Sequence, residues 1–383
     1  MDRFIEQSPF FTPEHRNLAT SIAGFVQHEV EPRAADERDA DARTVEYVKL
    51  LAMAGVLGYA VATPESRLDV RALCLIREAL SYSSALADTA FVMQGLGTYA
   101  ISQAAPEHVR DFWLTRAREG KAIAAFALTE PEAGSDVAAI QTTAQRHGDA
   151  YIINGSKRFI SNAGIADFYT VFARTNKREE DRAELSTFVV GSKMPGFSVV
   201  QRTALIAPHP IGEIEFKDCR VHADDMVGAE GDGFRLAMQT LDIFRSSVGA
   251  AACGMARRAL DEALRYASTR RQFGRLLAEH QLVQGKLADM ITELDAARLL
   301  VYRAAHLKDS GAARVTREAS EAKLFATEAA GRIIDQAVQI HGGAGLVRGS
   351  VVERLYRDVR ALRIYEGTSE IQKLVIASQL LKE

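Results

Sequence analysis

The chain has 383 residues, of which 47% are hydrophobic and 25% charged, and its formal net charge is −3. That balance is typical of a globular protein, and the length suits two or three packed subdomains. A slightly acidic chain gives no electrostatic reason to expect nucleic-acid binding, and no apolar run reaches the about 18 residues that a membrane span needs.

The cysteines and the first residues bear on the cellular compartment. Cys74, Cys219 and Cys253 are isolated and far apart, which excludes a disulfide framework and a CxxC metal site. The opening stretch, MDRFIEQSPFF, lacks the basic start and the apolar run of a signal peptide. We therefore expect buried thiols in a reducing cytoplasm.

Helical signals dominate residues 1–120. Thr12 is suited to capping a helix whose first position is Pro13, and the apolar residues that follow share one face, namely Leu18, Ile22, Phe25 and Val26. Further helices are predicted at residues 51–57, 70–80 and 106–120. The pattern predicts an N-terminal helical domain.

Residues 121–231 change to short strand-forming runs broken by turns. The turn signals are Gly148-Asp149 and Asn154-Gly155, and such dipeptides between apolar runs predict hairpins. The predicted strands lie at residues 122–128, 142–146, 151–153, 157–161, 168–173, 185–190, 197–201 and 214–216. This region is predicted to be a small, middle antiparallel β-domain.

Residues 232–383 are helical again. In the clearest stretch, apolar residues recur at helical spacing between polar ones, at Leu282, Leu287, Met290, Ile291, Leu294 and Ala297. The length and spacing suit a long helix of a bundle. The predicted fold class is therefore α+β, with boundaries at 1–120, 121–231 and 232–383.

The segment FALTEPEAGSD at residues 126–136 carries the first chemical signal. It is predicted to be a loop leaving a strand, and such a loop offers backbone N–H groups and hydroxyls to a polar ligand. For this segment alone, a turn capped by Ser135 or Asp136 that enters a short helix is the plainer interpretation.

Five segments in a fixed order resemble the acyl-CoA dehydrogenase family. FALTEPEAGSDVAAI is similar to its flavin-binding signature, and the others are KRFISNAGIADF (157–168), RRQFGRLLAEHQ (270–281), QIHGGAG (339–345) and IYEGTSEIQ (364–372). The resemblance implies a C-terminal four-helix bundle, FAD as cofactor, and α,β-dehydrogenation of an acyl-CoA thioester. A Rossmann interpretation of the GGAG run is rejected, because no strand precedes it.

The resemblance also implies which residues bind the cofactor. Leu128 and Thr129 match groups that meet the flavin pyrimidine, and Ser135 matches a position that meets the flavin phosphate or the acyl-CoA. Phe159 keeps a flat face for stacking where the family usually has Trp, and Ser161 keeps a hydroxyl for the hydride-accepting nitrogen. The remaining cofactor positions are Phe126, Arg270, Phe273, Gln281, Gln339, Gly343 and Thr368.

Three of these positions lie in the segment that reaches a neighbouring subunit's flavin in the family, namely Arg270, Phe273 and Gln281. A guanidinium suits the pyrophosphate because it donates in a fork and stays charged, and the adjacent Arg271 is the competing candidate for this contact. The family pattern thus implies a homotetramer, or at least a dimer. His341 has no partner at ligand spacing, so no metal site is expected.

Glu366 matches the catalytic glutamate of the family. Removal of a thioester α-proton needs a carboxylate in a dry site with a raised pKa, and IYEGT places Glu366 in a tight turn. Residues 242–256, where some relatives carry the base, contain no glutamate. The implied substrate positions are Asp242, Arg245, Tyr365 and Gly367, although a surface ion pair is the alternative interpretation of Asp242 and Arg245.

Two segments depart from the family pattern close to the acyl group. VATPESRLDV (61–70) lacks the usual paired glycines, and RTALIAPHPIGEIEF (202–216) lacks the usual run rich in Gly, Arg and Thr. SYSSALADTAF (81–91) has no arginine of the kind that clamps a dicarboxylate, so a substrate with a free carboxylate is not expected. The identity of the acyl group stays open.

The expected partners are an acyl-CoA substrate and an electron-transfer flavoprotein, with no nucleic acid and no membrane. Two alternatives share the fold: an oxidase that passes electrons to oxygen, and a dehydrogenase of acyl groups bound to a carrier protein. A third is a nucleic-acid-associated flavoprotein of the alkylation-response type. The net charge of −3 and the end at residue 383 disfavour it.

Overall fold

A computed structural model of the chain describes residues 2–63, 67–175 and 184–382. Its α-helices are α1 (Arg3–Gln7), α2 (Pro13–Phe25), α3 (Ala40–Met53), α4 (Val70–Ser83), α5 (Ala85–Ala104), α6 (Glu107–Arg118), α7 (Gly233–Thr269), α8 (Gln281–Asp309), α9 (Thr316–His341), α10 (Val351–Asp358) and α11 (Ser369–Leu380). Its strands are β1 (Ala124–Ala127), β2 (Thr143–His147), β3 (Ala150–Ser161), β4 (Phe168–Arg174), β5 (Leu185–Gly191), β6 (Phe197–Arg202), β7 (Ile211–His222), β8 (Met226–Val227), β9 (Arg271–Gln272) and β10 (Arg275–Leu276).

The chain divides into two compact units, and the divisions include one inside α5 and one near the start of α7. The first unit holds Met1–Asp36, Asp69–Asp88 and Asp242–Glu383, and the second holds Glu37–Leu68 and Thr89–Leu241. The three predicted domain boundaries stay a prediction. In the described part of the chain, no helix is both long and apolar enough to cross a membrane.

The helix that follows Thr12 is confirmed as α2. Thr12 has an extended backbone before Pro13 opens the helix, and the Thr12 hydroxyl lies 2.8 Å from His15 Nδ1. The predicted helix at residues 51–57 is corrected, since α3 ends at Met53 and a separate 3-10 turn follows. Gly55 adopts φ +70°, and a left-handed residue of this kind ends an α-helix.

The second unit contains an eight-stranded sheet with the order β6-β7-β3-β2-β4-β5-β8, and β1 pairs with β4. Most neighbours are antiparallel, but β1 is parallel to β4, and β2 meets β4 in parallel at Thr143 and Arg174. The predicted antiparallel domain is therefore corrected to a mixed sheet. In sequence, the β2–β3 hairpin separates β1 from β4. This long connection allows β4 to run parallel to β1.

The prediction of a turn at Asn154-Gly155 is also wrong, because β3 runs without a break from Ala150 to Ser161. Its register against β7 shifts at Ile153/Gly155 and again at Lys157/Ile160. Gly155 has φ +142°, and a Cβ there would lie 2.7 Å from Thr142 Cα. The glycine therefore marks a β-bulge where the backbone of β3 approaches its neighbour closely.

The second bulge in β3 presents a ring to solvent. Phe159 lies in it with φ +54°, and 51% of the residue is exposed. Arg158 places its guanidinium 5.0 Å from the centre of this ring. A bulge redirects a side chain that regular pleating would point elsewhere, so the exposed face of Phe159 is a consequence of the strand geometry.

In the first unit, α8 and α9 pack along their lengths and bury small and branched apolar residues. The predicted long helix is confirmed as α8, and Met290, Leu294 and Ala297 on its predicted face are buried. Two residues of the same predicted face are not, since Leu282 is 85% exposed and Ile291 is 42% exposed. The apolar stripe on α8 thus extends beyond what this unit covers.

Candidate active site

Glu366 lies in a strained turn that precedes α11. Its φ is +54°, a left-handed value that is uncommon for residues other than glycine. Gly367 follows with φ +90°, and a Cβ there would lie 2.6 Å from Gln372 Nε2. Thr368 then caps α11 by accepting a hydrogen bond from Ile371 N at 3.4 Å. Glycine is therefore favoured at position 367 by its backbone angle, and a Cβ there would also displace the Gln372 amide.

Two fully buried side chains hold this turn through its carbonyl groups. Gln372 Nε2 donates to Glu366 O at 3.2 Å and to Gly367 O at 3.0 Å. Lys323 Nζ donates to Gly367 O at 2.5 Å. Neither residue was predicted as part of the site. Such hydrogen bonds keep a left-handed residue in place, because they would be lost if the turn relaxed.

The carboxyl group of Glu366 is buried without being neutralised by a close partner. The residue as a whole is partly exposed, but its Oε2 is buried and finds no hydrogen-bond partner among the described residues. Burial raises the pKa of Glu366, while Arg77, Lys323 and Arg245 act in the opposite direction. A carboxyl with a raised pKa and an unused oxygen is suited to exchanging a proton with a ligand.

Arg77 reaches this region from α4 and was not predicted. Its Nε and Nη2 donate to the two carboxylate oxygens of Asp88 at 2.8 and 2.7 Å, and its Nη1 donates to Ser247 Oγ at 2.8 Å. Arg77 is 1% exposed and Asp88 is 2% exposed. A usable signal exists in the sequence, because Arg77 interrupts the apolar face of α4 and a buried arginine needs an anionic partner.

Asp242 and Arg245 share one face of α7, as predicted. Arg245 Nη1 donates to Asp242 Oδ1 at 2.9 Å, and Thr316 Oγ1 donates to Asp242 Oδ2 at 2.9 Å. The alternative of a surface ion pair is wrong, because Arg245 is only 6% exposed. Arg245 Nε is buried and has no partner in the described part of the chain. Tyr365, the remaining predicted substrate residue beside Glu366, is 38% exposed.

In the second unit, the structure joins two of the segments that were predicted to bind flavin. Arg158 N donates to Thr129 O at 2.9 Å, and Lys157 Nζ donates to Leu128 O at 3.1 Å. The loop after β1 and the bulge of β3 are thus tied together. Phe126 is partly buried, and its ring lies 5.0 Å from that of Phe172.

A buried ion pair that was not predicted supports the same loop. Lys157 Nζ lies 2.8 Å from Glu130 Oε1, and Glu130 also accepts from Gln141 N and Thr142 N at 2.6 and 3.0 Å. The exposed Ser135 follows in the same loop. Because Glu130 gathers three donors, it fixes the path of the chain that carries Thr129.

Ser161, predicted to meet the flavin, lies at the end of β3 beside a histidine that was not predicted. Ser161 Oγ and His209 Nε2 are 2.7 Å apart. Burial lowers the pKa of His209 to about 4, and nearby Arg202 acts in the same direction. The ring is therefore neutral at neutral pH. His209 belongs to the segment 202–216, which was singled out as a departure from the family pattern.

Five predicted cofactor residues of the first unit are exposed in the single chain, namely Arg270, Phe273, Gln281, Gln339 and Gly343. Phe273 occupies the turn between β9 and β10 with φ +52° and is 94% exposed. The structure leaves these residues accessible to a ligand or a partner, and their assigned roles stay predictions.

The helix–sheet–helix order and the turn at Glu366 agree with the resemblance to a flavin-dependent dehydrogenase, and comparison with known proteins establishes the family. The models of the acyl-CoA dehydrogenase N-terminal, middle and C-terminal domains match residues 12–121, 125–219 and 231–381. The chain therefore belongs to the acyl-CoA dehydrogenase family, whose members are FAD-binding oxidoreductases that act on CH–CH groups.

Individual relatives show the range of acyl groups in this family. A 3-(aryl)acrylate reductase of Clostridium sporogenes is 42% identical over 97% of this chain and 100% of its own length. A cyclohexane-1-carbonyl-CoA dehydrogenase of Geobacter metallireducens is 39% identical over 81% of this chain and 82% of its own. The solved structure of butyryl-CoA dehydrogenase from Megasphaera elsdenii has a TM-score of 0.88 and 34% identity, covering 97% of this chain and 99% of that chain.

The second unit contains groups that suit an isoalloxazine ring. Phe159 offers an exposed aromatic face, Ser161 follows it in β3, and Thr129 lies in the loop that is hydrogen-bonded to Arg158. The hydrogen bonds from Arg158 and Lys157 to the loop after β1 hold these segments together. An aromatic face with hydroxyl and backbone groups beside it is the donor set that a flat, polar-edged ring system needs, so FAD fits these residues.

Proposed function

We propose that this chain removes two hydrogens from Cα and Cβ of an acyl-CoA thioester, with Glu366 as the base that takes the α-proton. The observation that carries this proposal is the Glu366 carboxyl, whose Oε2 is buried with no hydrogen-bond partner in the described residues. Its raised pKa brings its proton affinity closer to that of the weakly acidic α-carbon.

The residues around Glu366 stabilise charge during this step. Arg77, Lys323 and Arg245 act on the Glu366 carboxyl as positive charges, and positive charges near the site favour the negative charge that develops on the thioester as the α-proton leaves. The substrate positions that we assign are Asp242, Arg245, Tyr365 and Gly367. Bound FAD supplies the acceptor for the β-hydride.

The cofactor positions follow the family pattern and gain support from the contacts within each unit. In the second unit we assign Phe126, Leu128, Thr129, Ser135, Phe159 and Ser161 to FAD. In the first unit we assign Arg270, Phe273, Gln281, Gln339, Gly343 and Thr368. The hydrogen-bonded pair of segments around Phe159 is the structural support for the first set.

The test is anaerobic bleaching of the FAD absorbance on addition of acyl-CoA, followed by stopped flow. The amide in Glu366→Gln is nearly isosteric, so the variant should retain FAD and substrate binding while its bleaching rate falls by about 100- to 10,000-fold. Glu107→Gln, which changes an exposed carboxylate on α6, is the matched control and should bleach at the wild-type rate. A Glu366→Gln rate within about threefold of wild type would exclude Glu366 as the base.

The reaction in the reverse direction is a second candidate, and the reductase from Clostridium sporogenes favours it. A carboxyl with a raised pKa serves as well for returning a proton to Cα as for removing it. A panel of butyryl-, cyclohexanecarbonyl- and 3-arylpropionyl-CoA, each with its unsaturated counterpart, measures both directions. If an arylacrylyl-CoA reoxidises the reduced flavin and no saturated acyl-CoA of the panel reduces the oxidised flavin, the chain is a reductase.

We propose an electron-transfer flavoprotein as the acceptor of the electrons, and the assay compares it with oxygen. Wild-type enzyme reduced by acyl-CoA is mixed with the flavoprotein under argon, or with air-saturated buffer. Rapid reoxidation only in the presence of the flavoprotein supports a dehydrogenase. Equally rapid reoxidation by oxygen identifies the oxidase alternative.

We also propose that the active form is a homotetramer, or at least a dimer. Phe273 is 94% exposed at φ +52° and Leu282 is 85% exposed, so two large apolar side chains are uncovered in the single chain. Light scattering of the FAD-loaded, active protein measures the mass. An active species with the mass of one chain refutes the proposal.

A further inference from the structure

Lys323 is a buried cation of the first unit that both acts on Glu366 as a positive charge and donates a hydrogen bond to the turn that carries Glu366. It lies on α9 among small residues, is 0% exposed, and its Nζ donates to the carbonyl of Gly367 at 2.5 Å. Burying an ammonium group is costly unless an anion compensates it. Burial lowers the pKa of Lys323 to about 8, and Glu366 is the first group that opposes this change.

The three cations near Glu366 differ in how their charges are balanced. Arg77 forms a fork with Asp88, and Arg245 pairs with Asp242. Lys323 makes its close contact with a carbonyl oxygen and forms no ion pair at salt-bridge distance within residues 2–63, 67–175 and 184–382. Of the three, Lys323 is therefore the cation whose charge is not balanced by a carboxylate at salt-bridge distance among the described residues.

We propose that Lys323 is a positioning residue for the proton transfer. It holds the Glu366–Gly367 turn in its left-handed conformation and supplies the positive charge that favours the ionised form of the base. This inference rests on the proposed function, in which Glu366 is the base. No atom of Lys323 takes part in bond making.

Other charged groups around Lys323 leave this assignment in place. Glu328 also acts on it, but Glu328 accepts hydrogen bonds from Arg363 and Ser369 at 2.7 and 2.6 Å. Glu370 acts on it from the exposed first turn of α11, and Arg245 repels it. Among the described residues, the carboxyl with a buried oxygen that has no hydrogen-bond partner is that of Glu366.

Gln372 provides a matched comparison, because it donates to the same Gly367 carbonyl at 3.0 Å without carrying a charge. Gln372→Met removes hydrogen bonds from the turn and leaves the charge around Glu366 unchanged. Lys323→Met removes a hydrogen bond and a charge, and Lys323→Gln removes the charge while keeping a donor. The three variants therefore separate positioning from electrostatics.

The experiment measures the protonation of Glu366 in the FAD-loaded enzyme. Infrared difference spectra taken across pH give the midpoint of the carboxylic acid band that is absent in Glu366→Gln, and stopped-flow bleaching gives the matching rate profile. We expect Lys323→Met and Lys323→Gln to raise the midpoint by about one pH unit or more, since the nearby positive charge is lost. We expect Gln372→Met to slow bleaching at an unchanged midpoint.

The content of bound FAD and circular dichroism check that each variant is folded. If Lys323→Met loses FAD, the midpoint measured in Lys323→Gln tests the electrostatic role instead. A wild-type midpoint in Lys323→Gln overturns the electrostatic role, and a wild-type rate in Gln372→Met together with Lys323→Met overturns the clamp on the turn. Wild-type bleaching by Glu366→Gln would instead overturn the proposed function itself. The two failures are thus distinguished by separate variants.

Discussion

Removal of Arg77 should destabilise the first unit strongly, because it leaves Asp88 as a buried carboxylate without its partner. Arg77 and Asp88 are 1% and 2% exposed and share two hydrogen bonds of 2.8 and 2.7 Å. Breaking a buried pair by deleting one member costs about 3–5 kcal/mol in the free energy of unfolding. We expect Arg77→Met to fall in this range at pH above neutrality.

The size of the effect should depend on pH with a definite sign. Burial already raises the pKa of Asp88 above its ordinary value, against the attraction of Arg77. Without Arg77 the pKa rises further, so the folded variant binds a proton that the unfolded chain has released. Raising the pH through this window should therefore lower the stability of Arg77→Met by up to about 1.4 kcal/mol per pH unit, relative to wild type.

The assay is urea unfolding at fixed FAD and protein concentrations, at about pH 5 and about pH 8. The double variant Arg77→Met/Asp88→Leu should recover most of the loss, since neither charge remains and Ser247 still donates to Phe244 O at 2.7 Å. Arg220→Met breaks an exposed pair with Asp149 and should cost at most about 1 kcal/mol.

Equal stabilities of Arg77→Met and Arg220→Met at both pH values would refute this reasoning. So would a double variant whose loss of stability equals the sum of the losses in Arg77→Met and in Asp88→Leu, because that result would mean that the two charges are not coupled.

Three further predictions concern the turn and the segments assigned to flavin. Gly367→Ala should slow flavin reduction by about tenfold or more in stopped flow, because alanine is strained at φ +90° and its Cβ would displace the Gln372 amide that holds the turn; a wild-type rate contradicts this. In the wild type, the free energy of unfolding should fall as pH drops from 6.5 to about 4, since the folded state resists protonation of His209 across that window. His209→Gln should show a smaller fall, and equal falls in the two proteins count against this prediction. Phe159→Ala should weaken FAD binding and Phe159→Trp should retain it, as measured by flavin fluorescence on titrating the apoprotein, and equal affinities would rule out stacking.

Local signals predicted much of the secondary structure, and long-range pairing explains the errors. Gly148 has φ +61°, and the turn there joins β2 to β3 as predicted. The Asn154-Gly155 dipeptide carries the same kind of signal, yet β3 continues through it because β7 pairs with both halves of the strand. Whether such a dipeptide becomes a turn or a bulge depends on a partner about 60 residues away, which a short sequence window does not contain.

In the candidate site, too, local signals could be predicted from the sequence and long-range contacts could not. Glu366 could be predicted because its neighbours in sequence form a specific motif, and the turn is local. Lys323 reaches the Gly367 carbonyl across 44 residues of sequence, and Arg77 belongs to another helix altogether. Motif matching identifies the residue to which we assign the chemistry, whereas the residues that shift its pKa are brought in by packing and leave only a weak signal, a charge on an otherwise apolar helix face.

Two glutamates with buried carboxylate oxygens, Glu130 and Glu366, show how hydrogen bonding distinguishes a structural carboxylate from one suited to exchanging a proton. Glu130 accepts from Lys157, Gln141 and Thr142, and although burial acts to raise its pKa, these donors bring the pKa below its usual value. Glu366 has cations nearby, but its Oε2 accepts no hydrogen bond from the described residues, and burial keeps its pKa raised. Direct donors stabilise only the ionised form and so fix a carboxylate in that state. Nearby charges without direct contact moderate the pKa and leave an oxygen available for a substrate proton, which is the arrangement a general base requires.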